Sequence, residues 1–345
     1  MTVQGETTQV VPERVLVTGA TGFIGANLVR HLLARGQKVR CIIRKPNPLL
    51  EGLDLDLVKV PLEDTPDGVD ALARVADGCQ GIYHVAGIFD PSPGGVARMR
   101  QVHVYGTRAL LKAADKAGVE RMLVCSSSIT VGYGSKSSPG DEETPINPDD
   151  LYGTAGALRG YYDTKLQSEQ MSLNWPGVPV VVVNPDFIIG ARDVKPTSGQ
   201  LIVSMAKGWM PMYPRGGKCF QDADDCAIGH ILALEKGRPG RRYLLGNENL
   251  SYREFMDLIA GVVGGRKPVM AIPDFAVWCG GKVGQWGSRF DAHKFAGLDP
   301  HVLRSMQLPR YRTGARARDE LGVPQTPMIE AVKKAHDWFK ENQYC

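Results

Sequence analysis

The chain has 345 residues, of which 43% are hydrophobic and 23% are charged, a composition typical of a folded protein with one large domain or two ordinary ones. Lysine and arginine number 41 against 37 acidic residues, so the net charge of +4 does not indicate nucleic-acid binding. No apolar run approaches the ~20 residues of a membrane span, and residues 1–12 lack the features of a secretory signal. We therefore expect a cytoplasmic protein with a disordered leader over residues 1–12.

The seven cysteines form no C-x-x-C pair, and several of them lie within apolar runs. This distribution favours buried free thiols in a reducing compartment over disulfides or a zinc site. We predict no metal site.

The first half of the chain alternates short β-branched runs with helical stretches, which is the pattern of a parallel sheet covered by helices on both faces. The predicted strands cover residues 15–17, 39–43, 57–60, 81–85, 122–125 and 180–183. The predicted helices cover residues 23–35, 68–77, 96–117 and 159–173. The wholly apolar run at 180–183 is typical of a central strand that is buried on both faces.

After about residue 190 this regular alternation ends. We predict helices over residues 199–208, 224–236, 252–263 and 327–342 and a strand over residues 243–245. Ser251 and Glu254 form a capping box for the third of these helices. The predicted fold is a Rossmann-type doubly wound parallel α/β sheet with a smaller C-terminal substrate-binding subdomain. We expect residues 13–190, with contributions from about 220–250, to form the main domain, and residues 191–345 to form mainly the smaller subdomain.

A glycine-rich loop joins the first predicted strand to the first predicted helix. It runs from Thr18 to Gly25 with its glycines in the spacing G-x-x-G-x-x-G. The first glycine permits a tight turn, the second lets the backbone approach a pyrophosphate, and the third allows close packing of helix and strand. The start of the helix adds free N–H groups and a partial positive charge. We predict a dinucleotide site here rather than an ordinary turn, with contacts from Gly19, Thr21, Gly22, Phe23 and Ile24.

The end of the second predicted strand bears on which dinucleotide binds. Arg44 and Lys45 stand there, and no carboxylate follows before Glu51. An acidic residue at this place would hold the ribose hydroxyl of NAD, whereas a basic one accommodates the 2′-phosphate of NADP. Arg44 can make a bidentate phosphate contact, and Lys45 adds a second cation. The pair favours NADP(H), and NAD(H) is the alternative if both are solvated surface charges.

Tyr161 and Lys165 lie four residues apart in the predicted helix 159–173, so their side chains share one face. An ammonium beside a phenol stabilises the phenolate, which makes the phenol useful for proton transfer near neutral pH. Tyr152 and Tyr162 are competing candidates, but residue 156, four after Tyr152, is glycine. This spacing is often no more than a helix surface pair, and it gains weight here from the glycine-rich loop. We predict that Tyr161 and Lys165 are catalytic and that Lys165 also holds the nicotinamide ribose.

Three serines, Ser126, Ser127 and Ser128, follow the fifth predicted strand. The carboxyl end of a central strand is where such folds bind ligands. A serine hydroxyl there could donate a hydrogen bond to a substrate carbonyl oxygen as negative charge develops on it. The alternative is that the serines form only a polar exit from the strand.

Together these motifs resemble the extended short-chain dehydrogenases/reductases of the dihydroflavonol-reductase-like type, within the NAD-dependent epimerase/dehydratase family. The chain is especially similar to the hopanoid-associated sugar epimerases. The resemblance extends from Val15 to about Trp338. Its segments include Thr18 to Gly25, His84 to Gly87, Gly106 to Arg108, Gly118 to Arg121, Ser126 to Ser128, Tyr161 to Lys165, Val183 to Pro185, Lys195 to Thr197 and Gly246 to Leu250.

The resemblance implies a role for individual residues. Tyr161 is expected to be the proton donor, Lys165 its activator and Ser128 the substrate-binding hydroxyl. Cofactor contacts are implied for Val85, Ala86, Gly87, Ser126 and Pro185. Two positions depart from the family pattern. His103 replaces the usual asparagine and is either a relay residue or a packed helix histidine, and Val60-Pro61-Leu62 replaces Gly-Asp-Leu near the adenine.

The expected substrate loops are rich in large apolar side chains, which favours an apolar or aromatic substrate. These residues are Phe89, Tyr133, Tyr152, Met205, Trp209, Met210, Met212 and Tyr213, and any single one could instead be a packing residue. The stretch 275–290 could form a lid, a partner surface or a membrane-touching face, with core packing as the default.

We expect an NADP(H)-dependent oxidoreductase that reduces a ketone or aldehyde, or oxidises a secondary alcohol in reverse. The alternatives are an NAD-dependent nucleotide-sugar epimerase or dehydratase and a non-catalytic NADP-sensing protein. The resemblance also implies a homodimer formed through the helices 96–117 and 159–173.

Overall fold

The computed structural model describes residues 11–196 and 198–345, so nearly all of the predicted leader lies outside the described residues. The strands are β1 (Arg14–Thr18), β2 (Lys38–Ile42), β3 (Asp56–Val58), β4 (Gly81–His84), β5 (Arg121–Cys125), β6 (Val180–Pro185), β7 (Phe187–Ile189), β8 (Met212–Tyr213), β9 (Gly217–Asp222), β10 (Arg242–Leu245), β11 (Glu248–Ser251), β12 (Met270–Ala271) and β13 (Pro309–Arg310).

Helices connect and cover these strands. They are α1 (Phe23–Ala34), α2 (Pro66–Ala76), α3 (Gly95–Arg100), α4 (Thr107–Ala117), α5 (Pro148–Tyr152), α6 (Ala157–Leu173), α7 (Gln200–Lys207), α8 (Ala223–Lys236), α9 (Tyr252–Val263), α10 (Asp274–Gly287), α11 (Ala292–Phe295), α12 (Pro300–Met306) and α13 (Met328–Glu341). The capping box of Ser251 and Glu254 at the start of α9 is present as predicted.

The main sheet has seven strands in the order β10-β6-β5-β4-β1-β2-β3, and all of its neighbouring pairs are parallel. Along β1, Val15 and Val17 belong to the apolar core on one face, which includes α1 and α8, whereas Leu16 belongs to the core on the other, which includes α2 and α4. This alternation follows from the period of two along a strand. The predicted doubly wound sheet is therefore confirmed, with β10 and β3 at its two edges.

The helix predicted over residues 96–117 contains an internal irregularity. α3 continues through a π-helical segment (Gln101–Gly106) into α4, and His103 is buried in that segment. A π-helical turn holds an extra residue and commonly marks a functional site, because it shifts the direction in which the following side chains point.

The second half builds a smaller layer whose strands we did not predict. β9 pairs with β7, β11 and β13, and the strands of this sheet are only two to six residues long. A separate apolar core lies between this sheet and the helices α7, α9 and α13. Phe220 and Phe255 stack there, with ring centroids 4.2 Å apart. Strands this short and separated in sequence carry too little periodicity to be predicted from it.

All seven cysteines are free, and five of them are buried. Burial raises the pKa of the Cys41 thiol to about 12, so it is held neutral in the core. None of the described helices combines the length and apolar character needed to cross a bilayer.

Candidate active site

The candidate site lies at the carboxyl ends of β1 and β4, between which the strand order reverses. Ligands of open α/β sheets bind at such a switch point. Gly19 has φ +76°, and a Cβ there would lie 2.6 Å from the backbone nitrogen of Ala86. Only glycine fits this contact, so the glycine-rich loop is packed directly against the Val85–Gly87 segment after β4.

The start of α1 is open for a ligand. Gly22 occupies the N-cap position and provides no side-chain hydrogen bond to the first turn, which leaves the N–H groups of Phe23 and Ile24 available. Gly25 is buried, and a Cβ on it would overlap the carbonyl oxygen of Gly19. The uncapped helix start and the side-chain-free loop fit the pyrophosphate of a dinucleotide.

Arg44 and Lys45 lie just beyond β2 and are exposed. Among the described residues, neither forms an ion pair or a hydrogen bond through its side chain, and both therefore remain available to an anion. The third strand ends at Val58, so residues 59 and 60 of the predicted strand form part of the following loop.

Tyr161 and Lys165 share one face of α6, as predicted. Lys165 is buried, and its ammonium donates to the carbonyl oxygen of Cys125 over 3.0 Å, which fixes α6 against the end of β5. Ser128 is buried in the short 3₁₀ turn after β5. Within the described part of the chain the hydroxyls of Ser128 and Tyr161 have no hydrogen-bond partner, so both are free to bind a substrate oxygen.

His103 lies beneath this pair as a fixed, neutral imidazole. Its Nε2 accepts from the N–H of Ile88 over 3.1 Å, so its Nδ1 carries the proton and donates to the Thr164 hydroxyl over 2.9 Å. Burial and the nearby Lys165 ammonium lower the pKa of His103 to about 2. Both ring nitrogens of His103 are therefore engaged within the chain. Its ring meets the edge of Tyr161, with centroids 5.6 Å apart.

His84 belongs to a second buried hydrogen-bond chain. The Thr107 hydroxyl donates to the carbonyl oxygen of His103, so it accepts from His84 Nε2 over 2.9 Å. His84 Nδ1 then accepts from the Thr18 hydroxyl over 2.7 Å. Burial lowers the pKa of His84 to about 3. This chain connects β1, β4 and α4 directly beneath the cofactor crevice.

Glu169 is a buried carboxylate that sequence analysis missed. It accepts from Ser126 over 2.5 Å, from Thr130 over 2.8 Å and from Asn184 over 2.7 Å, and it pairs with Arg242 over 2.7 Å. The Ser126 hydroxyl thus gives its proton to Glu169 and could contact a cofactor only as an acceptor or through its backbone. The spacing Tyr161, Lys165, Glu169 along α6 was the available signal, since it places all three on one helix face.

Two arginines, Arg310 and Arg312, are buried beyond the carboxyl end of β6. The last residue of that strand is Pro185, which is also buried. Arg312 pairs with Asp186 over 2.8 Å, with both side chains almost fully buried. Arg310 donates to Ser305, and its Nε is buried without a partner in the described residues. Desolvation lowers the pKa of Lys218 well below its ordinary value. No sequence pattern predicts that these residues meet, because they come from short segments that lie far apart in the chain.

Of the eight predicted substrate residues, Phe89 contacts the predicted catalytic residue Tyr161. It is 43% exposed and meets the ring of Tyr161 edge to face, with centroids 5.7 Å apart. Tyr133 and Tyr152 pack in a small core with Ile129 and Tyr162, and Met205, Met210 and Tyr213 pack in the core of the smaller layer. Trp209 and Met212 are exposed. The predicted packing alternative thus holds for most of the set.

The fold, the glycine-rich loop and the Tyr161–Lys165 pair define an extended short-chain dehydrogenase/reductase. The chain belongs to the NAD dependent epimerase/dehydratase family, whose model matches residues 15–246. It is 34% identical to the "Putative dihydroflavonol 4-reductase" of Synechocystis sp., over 95% of each chain. It is 31% identical to sterol demethylase protein B of Methylococcus capsulatus, over 94% of this chain and 98% of the other. The crystal structure of gox2253 superposes with a TM-score of 0.80 at 31% identity, covering 96% of this chain and 99% of that one. The predicted family is confirmed.

Proposed function

We propose that the protein is an NADP(H)-dependent oxidoreductase that reduces a ketone or an aldehyde to an alcohol. The observation that carries the proposal is the pair of unpartnered hydroxyls, Ser128 and Tyr161, beside the anchored ammonium of Lys165. A site of this kind binds one oxygen atom and transfers one proton to it. The relatives named for a dihydroflavonol reductase and a sterol demethylase support an oxidoreductase on a large apolar molecule.

Ser128, Tyr161 and Lys165 have separate roles in the proposed reaction. Bound NADPH supplies the hydride that reduces the carbonyl carbon. Ser128 donates a hydrogen bond to the carbonyl oxygen and holds it in place, and Tyr161 gives that oxygen its proton. Lys165, fixed by the carbonyl oxygen of Cys125, stabilises the phenolate that remains.

The cofactor would lie across the switch point of the sheet. The glycine-rich loop and the open start of α1 would hold the pyrophosphate, with contacts from Gly19, Thr21, Gly22, Phe23 and Ile24. Val85, Ala86, Gly87 and Pro185 would flank the nicotinamide half. Arg44 and Lys45, which pair with none of the described residues, support a preference for the 2′-phosphate of NADP over the free ribose of NAD.

A second candidate function is kept because of a buried guanidinium. Arg310 has no carboxylate partner among the described residues, since Asp186 is already paired with Arg312. Such a group would suit an anionic substrate, as in an NAD-dependent nucleotide-sugar epimerase or dehydratase. The unpaired Arg44 counts against a resident NAD. A non-catalytic NADP sensor would have no need of the intact Ser128, Tyr161 and Lys165 set.

Replacement of Tyr161 by phenylalanine tests the proposal. We expect Tyr161→Phe to lower turnover of NADPH with a panel of ketones and aldehydes by about 10²–10⁴-fold, because the proton donor is lost. Cofactor affinity should change little. Tyr162→Phe is the matched control: Tyr162 is the neighbouring phenol, packs on Tyr152 with centroids 5.4 Å apart, and should retain activity. Turnover that survives in Tyr161→Phe but not in Tyr162→Phe would reassign the proton donor.

Dialysis and a cofactor assay of the purified protein distinguish the candidate functions. A reductase should release its cofactor on dialysis and consume external NADPH with a carbonyl compound. NAD that stays bound through dialysis, with a nucleotide sugar interconverted at no net cofactor cost, would favour the epimerase. The expected homodimer through α4 and α6 remains a proposal, which the mass in solution can test.

A further inference from the structure

Helix α10 packs against its neighbours through glycine. Gly281, Gly284 and Gly287 are its buried residues. A Cβ on Gly287 would lie 2.5 Å from the ring of Phe295, and one on Gly284 would overlap the carbonyl oxygen of Leu298. The inner face of this helix therefore admits no larger side chain and contributes little apolar surface to the core.

The outer side of the same segment carries the large apolar side chains. Phe275, Trp278, Trp286 and Phe290, which we name the aromatic stripe, are between 61% and 75% exposed. Phe275 stacks on Trp278, and Trp286 meets Phe290 edge to face at 5.1 Å. A helix at the surface of a globular protein normally turns such residues inward. The reversed arrangement indicates that the aromatic stripe is covered by something other than this chain's core.

The charge around the aromatic stripe is positive. From Asp274 to Lys294 the segment contains three basic residues, Lys282, Arg289 and Lys294, against two aspartates. Asp274 already pairs with Arg215 at 3.1 Å, and Asp291 accepts from the N–H of Lys294 at 3.0 Å. The Nζ of Lys282 lies over the ring of Trp278, 5.6 Å from its centroid. The partner that covers this face should therefore be apolar and anionic together.

We propose that the aromatic stripe docks on the surface of an anionic lipid bilayer. The four rings would enter the boundary between headgroups and acyl chains, where tryptophan is favoured. Lys282 and Arg289 would extend to the lipid phosphates, since a lysine can bury its methylene stem and keep its charge in the headgroup layer. This interaction requires no membrane span and does not depend on the reaction that the site performs.

A second copy of the chain fits this face less well. Four aromatic side chains, each two-thirds exposed, offer roughly 500 Å² of apolar surface, against about 800 Å² that each partner buries in a standard interface. A two-fold contact through the aromatic stripe would also bring two copies of Lys282 together in an apolar setting, which is unfavourable. An anionic bilayer instead pairs this charge.

The proposed docking face lies next to the candidate active site. Ser288 and Ala292 line a cleft together with the loop from Asp90 to Val96. This loop follows Phe89, which contacts Tyr161. Docking would therefore place the cleft near the bilayer, where apolar molecules concentrate. This consequence, unlike the docking itself, rests on the proposed function.

Vesicle binding tests the proposal directly. We expect the full chain to co-sediment with phosphatidylcholine vesicles that contain phosphatidylglycerol, more than with pure phosphatidylcholine, with a blue shift of tryptophan fluorescence. The double variant Trp278→Ser with Trp286→Ser should bind at least about tenfold more weakly at every salt concentration. Lys282→Glu should weaken binding several-fold at low salt, and this loss should shrink at high salt because salt screens the charge.

Matched changes on α13 serve as controls. Ile329→Ser removes an apolar side chain that is 42% exposed, and Lys333→Glu reverses an exposed charge that forms no ion pair with the described residues. Both should bind vesicles like the unmodified chain, and all variants should keep its melting temperature because the changed side chains are exposed. Equal vesicle binding by the unmodified chain and the double variant would overturn the proposal. So would no binding to either vesicle, or a dimer that the double variant dissociates.

Discussion

At the scale of single residues, the candidate site depends on which polar groups are already engaged. Lys165 is held by a carbonyl oxygen, and His103 uses both ring nitrogens, whereas the hydroxyls of Ser128 and Tyr161 have no partner among the described residues. Neither hydroxyl is sealed in the core, so both can bind a ligand at this edge of the sheet.

Cofactor preference is tested at Arg44. We expect Arg44→Asp to weaken NADPH binding by at least about tenfold and NADH binding far less, because the carboxylate repels the 2′-phosphate but can accept from a ribose hydroxyl. Titration of both cofactors by fluorescence measures this difference. Arg74→Asp, which makes the same change at an exposed site on α2, should alter neither affinity. Equal losses for both cofactors in Arg44→Asp would remove the argument for NADP.

At the scale of elements, two left-handed glycines flank α1 and differ in their surroundings. Gly19 has φ +76° and touches the Val85–Gly87 segment, whereas Gly36 has φ +77° and open space where a Cβ would be. The positive φ favours glycine at both positions. Only at Gly19 does a neighbouring backbone also lie too close for a side chain. A comparison of substitutions at Gly19 and Gly36 therefore distinguishes the effect of backbone strain from the effect of filling the cofactor crevice.

We expect Gly36→Ala to lower stability by about 1 kcal/mol through backbone strain, with cofactor affinity unchanged. Gly19→Ala should lower stability by about 1–3 kcal/mol or more and also weaken cofactor binding, because the added methyl group displaces Ala86. Urea denaturation and cofactor titration measure the two effects separately. Equal cofactor affinity in both variants would mean that the loop does not hold the dinucleotide.

At the scale of the whole molecule, ion pairs join the large sheet to the second half of the chain. Asp224 at the start of α8 contacts His31 of α1 over 3.0 Å and Lys334 of α13 over 3.1 Å. The hydrogen bond from His31, together with Lys334, holds the pKa of Asp224 well below its usual range. The carboxylate is 28% exposed, so solvent screens it only in part.

Because folding lowers the pKa of the Asp224 carboxyl, the contribution of this carboxylate to the free energy of unfolding depends on pH. It is fully present above the unfolded value near pH 4 and is lost as pH falls toward the lowered folded pKa. Asp224→Asn should therefore cost about 1–2 kcal/mol at pH 7 and pH 5, with a smaller difference at pH 3. Urea denaturation at these three pH values measures the loss in the free energy of unfolding. Asp54→Asn, an exposed carboxylate on the surface, should change little, and a constant difference for Asp224→Asn would contradict the assignment.

The doubly wound sheet, the glycine-rich loop and the Tyr161–Lys165 pair could all be predicted from the amino-acid sequence. These features are local, because a strand, a tight turn and a helix face each show their pattern within a few neighbouring residues. Other features became visible only in the folded chain: both ring nitrogens of His103 are hydrogen-bonded, Glu169 accepts from Ser126, Thr130 and Asn184, and α10 turns its aromatic rings outward. Each of these depends on contacts between segments far apart in the chain, and no local pattern records which distant groups will meet.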